Sequence, residues 1–196
     1  VAAKHLVIDT SKSSEYATGH VPGTINVPAS KLAQWAGFFV DYQEPVYLIT
    51  DAAGLAAQLR SLRSIGIDLV GGYFEAGEVE SAGLRTEAYE SASPDELCPR
   101  IDRGEVSLLD VRAATEFEAG HIAGAEHRFL GTLLRDLHSV RRGRPVVAQC
   151  LAGGRSAIAA SLLQRAGYEV INMAGGYQAW VRAGLPIVRE ESAAVR

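Results

Sequence analysis

The sequence predicts an α/β chain built from two similar domains, each a parallel sheet with helices on both faces. Three observations carry this reading. A set of short motifs recurs at an offset near one hundred residues. Brief apolar runs alternate with amphipathic helical stretches in both halves. The runs PVYLIT from Pro45 and PVVAQC from Pro145 are nearly continuous in apolar residues, as strands covered on both faces are.

The elements follow the same order in each copy. A first strand, Leu6–Asp9 or Leu108–Val111, ends in a polar turn and a short helix. A Gly-His turn follows, Gly19-His20 or Gly120-His121, and then a brief second strand, Ile25–Val27 or Ala125–His127. The strong third strand is Val46–Thr50 or Val146–Gln149, and an amphipathic helix comes next, Gly54–Ile65 or Arg155–Ala166. A last strand, Asp68–Val70 or Val170–Asn172, leads to a Gly-Gly-Tyr turn at 71–73 and at 175–177. In the second copy a final helix runs from Tyr177 to Ala183.

The alignment of the copies is specific. Asp9 matches Asp110, Glu15-Tyr16 match Glu116-Phe117, and Gly23 matches Gly124. The domains are expected at 1–85 and 93–196, with a linker at 86–92. Ser93-Pro94-Asp95-Glu96 reads as an N-cap, a proline at the first helical position and acids in the first turn, so a helix opens the second domain. The first copy has no counterpart to that helix and the sequence has no initiating Met. The chain is therefore expected to be the trailing part of a longer protein.

Composition bounds the function. The 196 residues are 47% hydrophobic and 21% charged, which fits a globular protein with a real core. No apolar run approaches the roughly 18 residues of a membrane span, so no membrane partner is expected and a cytoplasmic location is. The net charge is −4, spread unevenly: residues 1–90 hold six Lys/Arg and eleven Asp/Glu, while the rest hold thirteen Arg, no Lys and twelve Asp/Glu. This does not suggest nucleic acid binding. An arginine-only half suits small oxyanions, which the planar guanidinium fork matches; codon bias explains it equally well. Two cysteines, Cys98 and Cys150, make no disulfide framework, and no zinc-ligand spacing is present, so neither metal nor cofactor is expected.

The chemistry concentrates at Cys150-Leu151-Ala152-Gly153-Gly154-Arg155-Ser156. A cysteine between a buried strand and a helix start meets converging N–H groups and the positive end of the helix dipole; both stabilise a thiolate and an anion bound beside it. Gly153 and Gly154 let the backbone curl into an anion nest, and small Ala152 keeps its mouth open. Arg155 can pair with an oxyanion or stay on the rim. Ser156 can cap the helix or donate to the loop. A thiolate here would attack an electrophilic sulfur, and a second thiophile would remove the outer sulfur.

Other residues read more plainly. Cys98 is a half-buried small hydrophobe, with a resolving-thiol role as the alternative. Arg141-Arg142-Gly143-Arg144 is a solvated turn or an attractor of anions. Trp35, Phe38 and Phe39 are expected in the first core and Trp180 in the second. Residues 189–196 are expected to fray.

Taken together, LLDVR, EFEAGHIAGA, CLAGGRS and GGYQAW resemble the rhodanese domain, closely over residues 93–188 and as a degenerate copy over 6–85. The tandem arrangement, with AGFFVDYQEPVYLI in the first copy, resembles the C-terminal part of bacterial metallo-β-lactamase-fold/rhodanese fusion proteins. The resemblance implies two rhodanese-like domains, the first inactive, and an N-terminal metallo-β-lactamase-fold domain in the full-length chain. It implies a sulfurtransferase moving sulfane sulfur from thiosulfate or a low-molecular persulfide to cyanide or a thiol. Cys150 takes the place of the persulfide-forming cysteine, and the backbone of Leu151 to Ser156 that of the cradle. Arg155 is similar to the loop-closing arginine, and Asp110-Val111-Arg112 resembles the family's Asp-x-Arg. Arg112 binds the anionic donor or bridges elements; His121 serves the Gly-His turn or the chemistry. In the first copy Thr50, Leu55 and Ser11 stand where Cys150, Arg155 and Arg112 stand, which implies a structural or docking domain, or an anion pocket without turnover.

Two other functions fit parts of this pattern. A phosphatase or arsenate-type enzyme of the same fold would place five residues between Cys and Arg, putting Arg at 156, where this chain has Ser156. A non-catalytic, sulfide-sensing module would only carry the persulfide.

Overall fold

In a computed structural model, residues 5–189 are described. The chain forms two compact units, Val1–Tyr89 with Ser161–Gly167 and Glu90–Ala160 with Tyr168–Arg196.

The first unit runs β1 (Leu6–Asp9), α1 (Ser13–Thr18), β2 (Ile25–Asn26), α2 (Leu32–Trp35), β3 (Val46–Thr50), α3 (Ala52–Arg63), β4 (Val70–Glu75) and α4 (Ala76–Ser81). Its strands are all parallel in the order β2-β1-β3-β4. Ile8, Ile25, Leu32, Leu48 and Leu62 are fully buried at its centre. The second unit runs β5 (Glu90–Ala92), α5 (Pro94–Asp102), β6 (Ser107–Asp110), α6 (Ala114–Glu118), β7 (Glu126–His127), α7 (Leu130–Asp136), β8 (Val146–Gln149), α8 (Gly154–Arg165), β9 (Val170–Met173) and α9 (Gly176–Arg182). Its order is β5-β9-β8-β6-β7, also parallel. Leaving aside β5, the two sheets share one topology, as the repeat requires. The core of the second unit joins Leu97, Leu108, Val147, Ile171, Met173 and Trp180.

In both sheets the chain winds outward in opposite directions from two central strands, β1 and β3 or β6 and β8. A crevice opens at the carboxyl ends of such strands, and ligands of open α/β sheets bind there. Ser11 and Thr50 lie at this point in the first unit, Arg112 and Cys150 in the second.

The structure corrects several details. Residues 90–92, assigned to the linker, form β5 and pair with β9. The first Gly-Gly-Tyr is no turn: it lies within β4, past a register shift at Val46/Tyr47. At this shift the Tyr47 ring lies so close to Gly71 that a Cβ there would overlap it. Phe38 is 51% exposed, whereas Trp35 and Phe39 are buried as expected. Most of the expected frayed tail, 190–196, lies outside the described residues.

Each Gly-His turn is built alike. His20 Nδ1 lies 2.7 Å from the Tyr16 carbonyl oxygen, and His121 Nδ1 lies 3.1 Å from that of Phe117. Both imidazoles stack on those aromatic rings at 3.9 Å. Backbone bridges to Glu87 and Val188 complete the turns. His121 thus has a structural task.

Candidate active site

Cys150 follows β8 directly and is 1% exposed. Its Sγ accepts the Gly153 N–H at 3.2 Å. This bond needs the tight curl between them, and Gly153 makes it at φ +95°, a conformation that disfavours any Cβ. The first turn of α8 follows at once, and helix-start N–H groups have no intrahelical acceptor. The sulfur therefore sits where donors and the helix dipole favour negative charge.

Arg155, in that first turn, interacts with the Cys150 side chain and reaches across to α6. There its Nη1 and Nη2 donate to Glu116 Oε2 and Oε1 at 2.6 and 2.7 Å. The carboxylate raises the guanidinium further above its usual value, and the guanidinium holds Glu116 below the usual carboxylate range. Glu116 also accepts the Ala113 N–H at 3.1 Å, which fixes it at the start of α6. Sequence reasoning noted Glu116 only as a repeated residue; its place opposite Arg155 depends on the fold.

Ser156 is fully buried, its hydroxyl 2.7 Å from Asn172 Oδ1 on β9 and 3.0 Å from the Gly153 carbonyl oxygen. It braces the loop from beneath, and its side chain does not face a ligand. Leu151 is 37% exposed at the mouth.

Arg112, expected among the anion-binding residues, is 2% exposed and held through its Nε and Nη2. It forks onto the buried Asp110 carboxylate at 2.7–3.0 Å, donates to the Gly120 carbonyl oxygen at 2.8 Å and covers the Tyr177 ring at 4.2 Å. These contacts are those of the bridging reading. The first unit keeps this node without an arginine at position 11. Arg85, 76 residues from Asp9, donates to its carboxylate at 2.9 Å and to the Gly19 carbonyl oxygen at 3.2 Å.

The second Gly-Gly-Tyr has its role here. Tyr177 N–H donates to the Cys150 carbonyl oxygen at 2.7 Å and Gln178 N–H to that of Leu151 at 2.9 Å. The N-terminus of α9 thus holds the loop from behind, and a Cβ at Gly176 would overlap the Cys150 carbonyl.

Cys98 is half-buried on α5, its thiol 3.8 Å from Asp102 Oδ2; burial, then Asp102, push the thiol above its usual value. A protonated thiol is a poor resolving nucleophile. Among the described residues no group of three or more His, Cys, Asp or Glu could hold a metal, and no helix is long and apolar enough to cross a membrane.

Fold and loop define a parallel α/β domain with a cysteine at the end of β8, its sulfur bonded by a loop N–H at the start of α8. Residues 93–183 match the family model of the rhodanese-like domain. Among solved structures, the chain is similar to a rhodanese-related protein from Thermoplasma volcanium, with 29% identity and a TM-score of 0.50 over 52% of this chain and 100% of that one. It is also similar to a thiosulfate sulfurtransferase from Pseudomonas aeruginosa, with 22% identity and a TM-score of 0.49 over 96% of this chain and 38% of that one. The second unit is a rhodanese-like domain, and the first repeats its fold.

Proposed function

We propose that the second unit is a sulfurtransferase acting through a Cys150 persulfide. One observation carries the reading: the Cys150 sulfur accepts the Gly153 N–H at the mouth of α8, with Arg155 beside it. With thiosulfate as donor, the Cys150 thiolate attacks the outer sulfur. A new S–S bond forms, the old one breaks with its electron pair, and sulfite leaves. Cyanide or a thiolate then attacks the outer sulfur of the persulfide, giving thiocyanate or a new persulfide and returning the Cys150 thiolate. A low-molecular persulfide as donor follows the same path, with its thiolate as leaving group. The enclosed sulfur favours small donors with a terminal sulfur. The first unit, with Thr50 and Leu55 in the two key places, carries no such turnover.

Intact mass after incubation with thiosulfate tests this. Wild type is expected to gain about 32 Da, one sulfur atom, and Cys150→Ser to gain nothing. Thiocyanate formation with cyanide should follow the same pattern. Absence of both adduct and thiocyanate in wild type, or full activity in Cys150→Ser, would overturn the proposal.

A further inference from the structure

The first unit carries a pocket of about 470 Å³ at the same crevice, lined among others by Ser11, Thr50, Asp51, Gln58 and Arg85. This volume lies in the range of small-ligand sites. Its charge is opposite in trend to that of the cysteine loop. Where the second unit has Leu151, the first has Asp51; Arg155 is replaced by Leu55. Thr50 pairs in register with Glu75, and carrying the Ala148–Asn172 register of the second sheet two residues onward leads to Ala174. Of these, Asp51 lines the pocket itself, while Leu55 and Glu75 change the charge beside it.

Glu75 also fills the place an anion would take. Its Oε2 accepts the Ala52 N–H at 2.8 Å, at the start of the twelve-residue α3, and Ala52 aligns with Ala152 of the cradle. An incoming anion would meet a carboxylate already seated there. The lining cations do not offset this. Arg85 is held by Asp9 and Glu80, at 2.9 and 3.2 Å, and Lys12 points outward, 82% exposed, beside Glu15. Asp51 is in no ion pair among the described residues.

A second observation concerns Gln58, 7% exposed, where the second unit has the apolar Ile158. Gln58 folds back over Gly54 and donates through Nε2 to Thr50 Oγ1 at 2.6 Å. Its Oε1 is buried without a partner, and so is the Ser11 hydroxyl oxygen in the same pocket. Unpaired buried acceptors carry a desolvation penalty that a donor removes.

We propose that the first unit's pocket binds a small organic cation, a primary amine carrying at least one further N–H or O–H donor. The ammonium lies at Asp51, and the second donor meets Gln58 Oε1. The binding is non-covalent and independent of the Cys150 chemistry.

Calorimetric titration of the full chain with agmatine, putrescine and ethanolamine tests the proposal. At least one amine is expected to bind one-to-one, and Asp51→Asn and Gln58→Leu should each weaken it about tenfold or more, as loss of a charged or buried hydrogen bond does. Asp51 is exposed, so its amide variant keeps the fold even where Gln58→Leu does not. No binding of any of the three at about 10 mM, a concentration that detects even contacts of a few kcal/mol, would overturn the proposal. So would binding that survives Asp51→Asn.

Discussion

At the scale of single residues, Glu116 governs the rim of the cysteine loop. By pairing with Arg155 in fork geometry it fixes the guanidinium beside the sulfur and cancels its charge there. Under the proposed sulfur transfer, an anionic donor would meet a neutral pair here, and the loop N–H groups would be its main attraction. The pair also sets a pH signature. Arg155 pulls the folded Glu116 carboxyl below its usual 4.5. A depressed carboxylate stabilises the fold above its unfolded value, and that contribution disappears as pH falls through the folded value. The stability difference between wild type and Glu116→Gln is therefore expected to be level near neutrality and to shrink only below about pH 4.5, the unfolded value. Denaturant midpoints of both proteins across pH 3–7 check this; a difference that fades already between pH 7 and 5 would contradict it.

At the scale of elements, the decisive contact is α9 against the loop after β8. Two N–H groups of the α9 N-terminus bond the carbonyls of Cys150 and Leu151, and Gly176 at φ +55° permits the approach. Gly176→Ala is expected to cost about 1–3 kcal/mol in stability and to lower the rate of persulfide formation, because relief of the overlap must move the Cys150 backbone. A denaturant melt and a timed mass assay would show the two effects together; unchanged values would mean the loop is not held from α9. The order of elements along the chain and the Gly-His turns were legible in the sequence because each is local and written twice, and the site loop because its cysteine, glycines and arginine are contiguous. What was not legible depended on distant packing. The strand at 90–92 is too short to show a period, and it exists because β9 offers it an edge. Gly71 looked like a turn residue, yet it is small to admit the Tyr47 ring. Arg112 read either as an anion ligand or as a bridge, and only the fold shows it bridging Asp110 and the Gly120 carbonyl. Glu116 lay in plain sight, but only the fold brings it to Arg155.

At the scale of the whole molecule, duplication has kept one scaffold and varied the chemistry at its crevice. The Asp–Arg–Gly node persists in both units, but the arginine comes from two residues away in one and 76 in the other. That difference in contact order separates the units kinetically. The Asp110–Arg112 pair closes a trivial loop and can form as soon as β6 does. The Asp9–Arg85 pair must wait until nearly the whole unit has condensed, since closing a long loop costs entropy before the contact returns it. It should therefore be absent from the folding transition state. Arg85→Leu strands a fully buried carboxylate and should destabilise the first unit by about 3–5 kcal/mol. Nearly all of that loss is expected in a faster unfolding rate, with refolding unchanged. Stopped-flow refolding and unfolding arms would resolve it, and a slowed refolding arm would place the contact earlier. An arginine supplied from 76 residues away thus serves as a latch that the first unit closes last, where the second unit has a local brace.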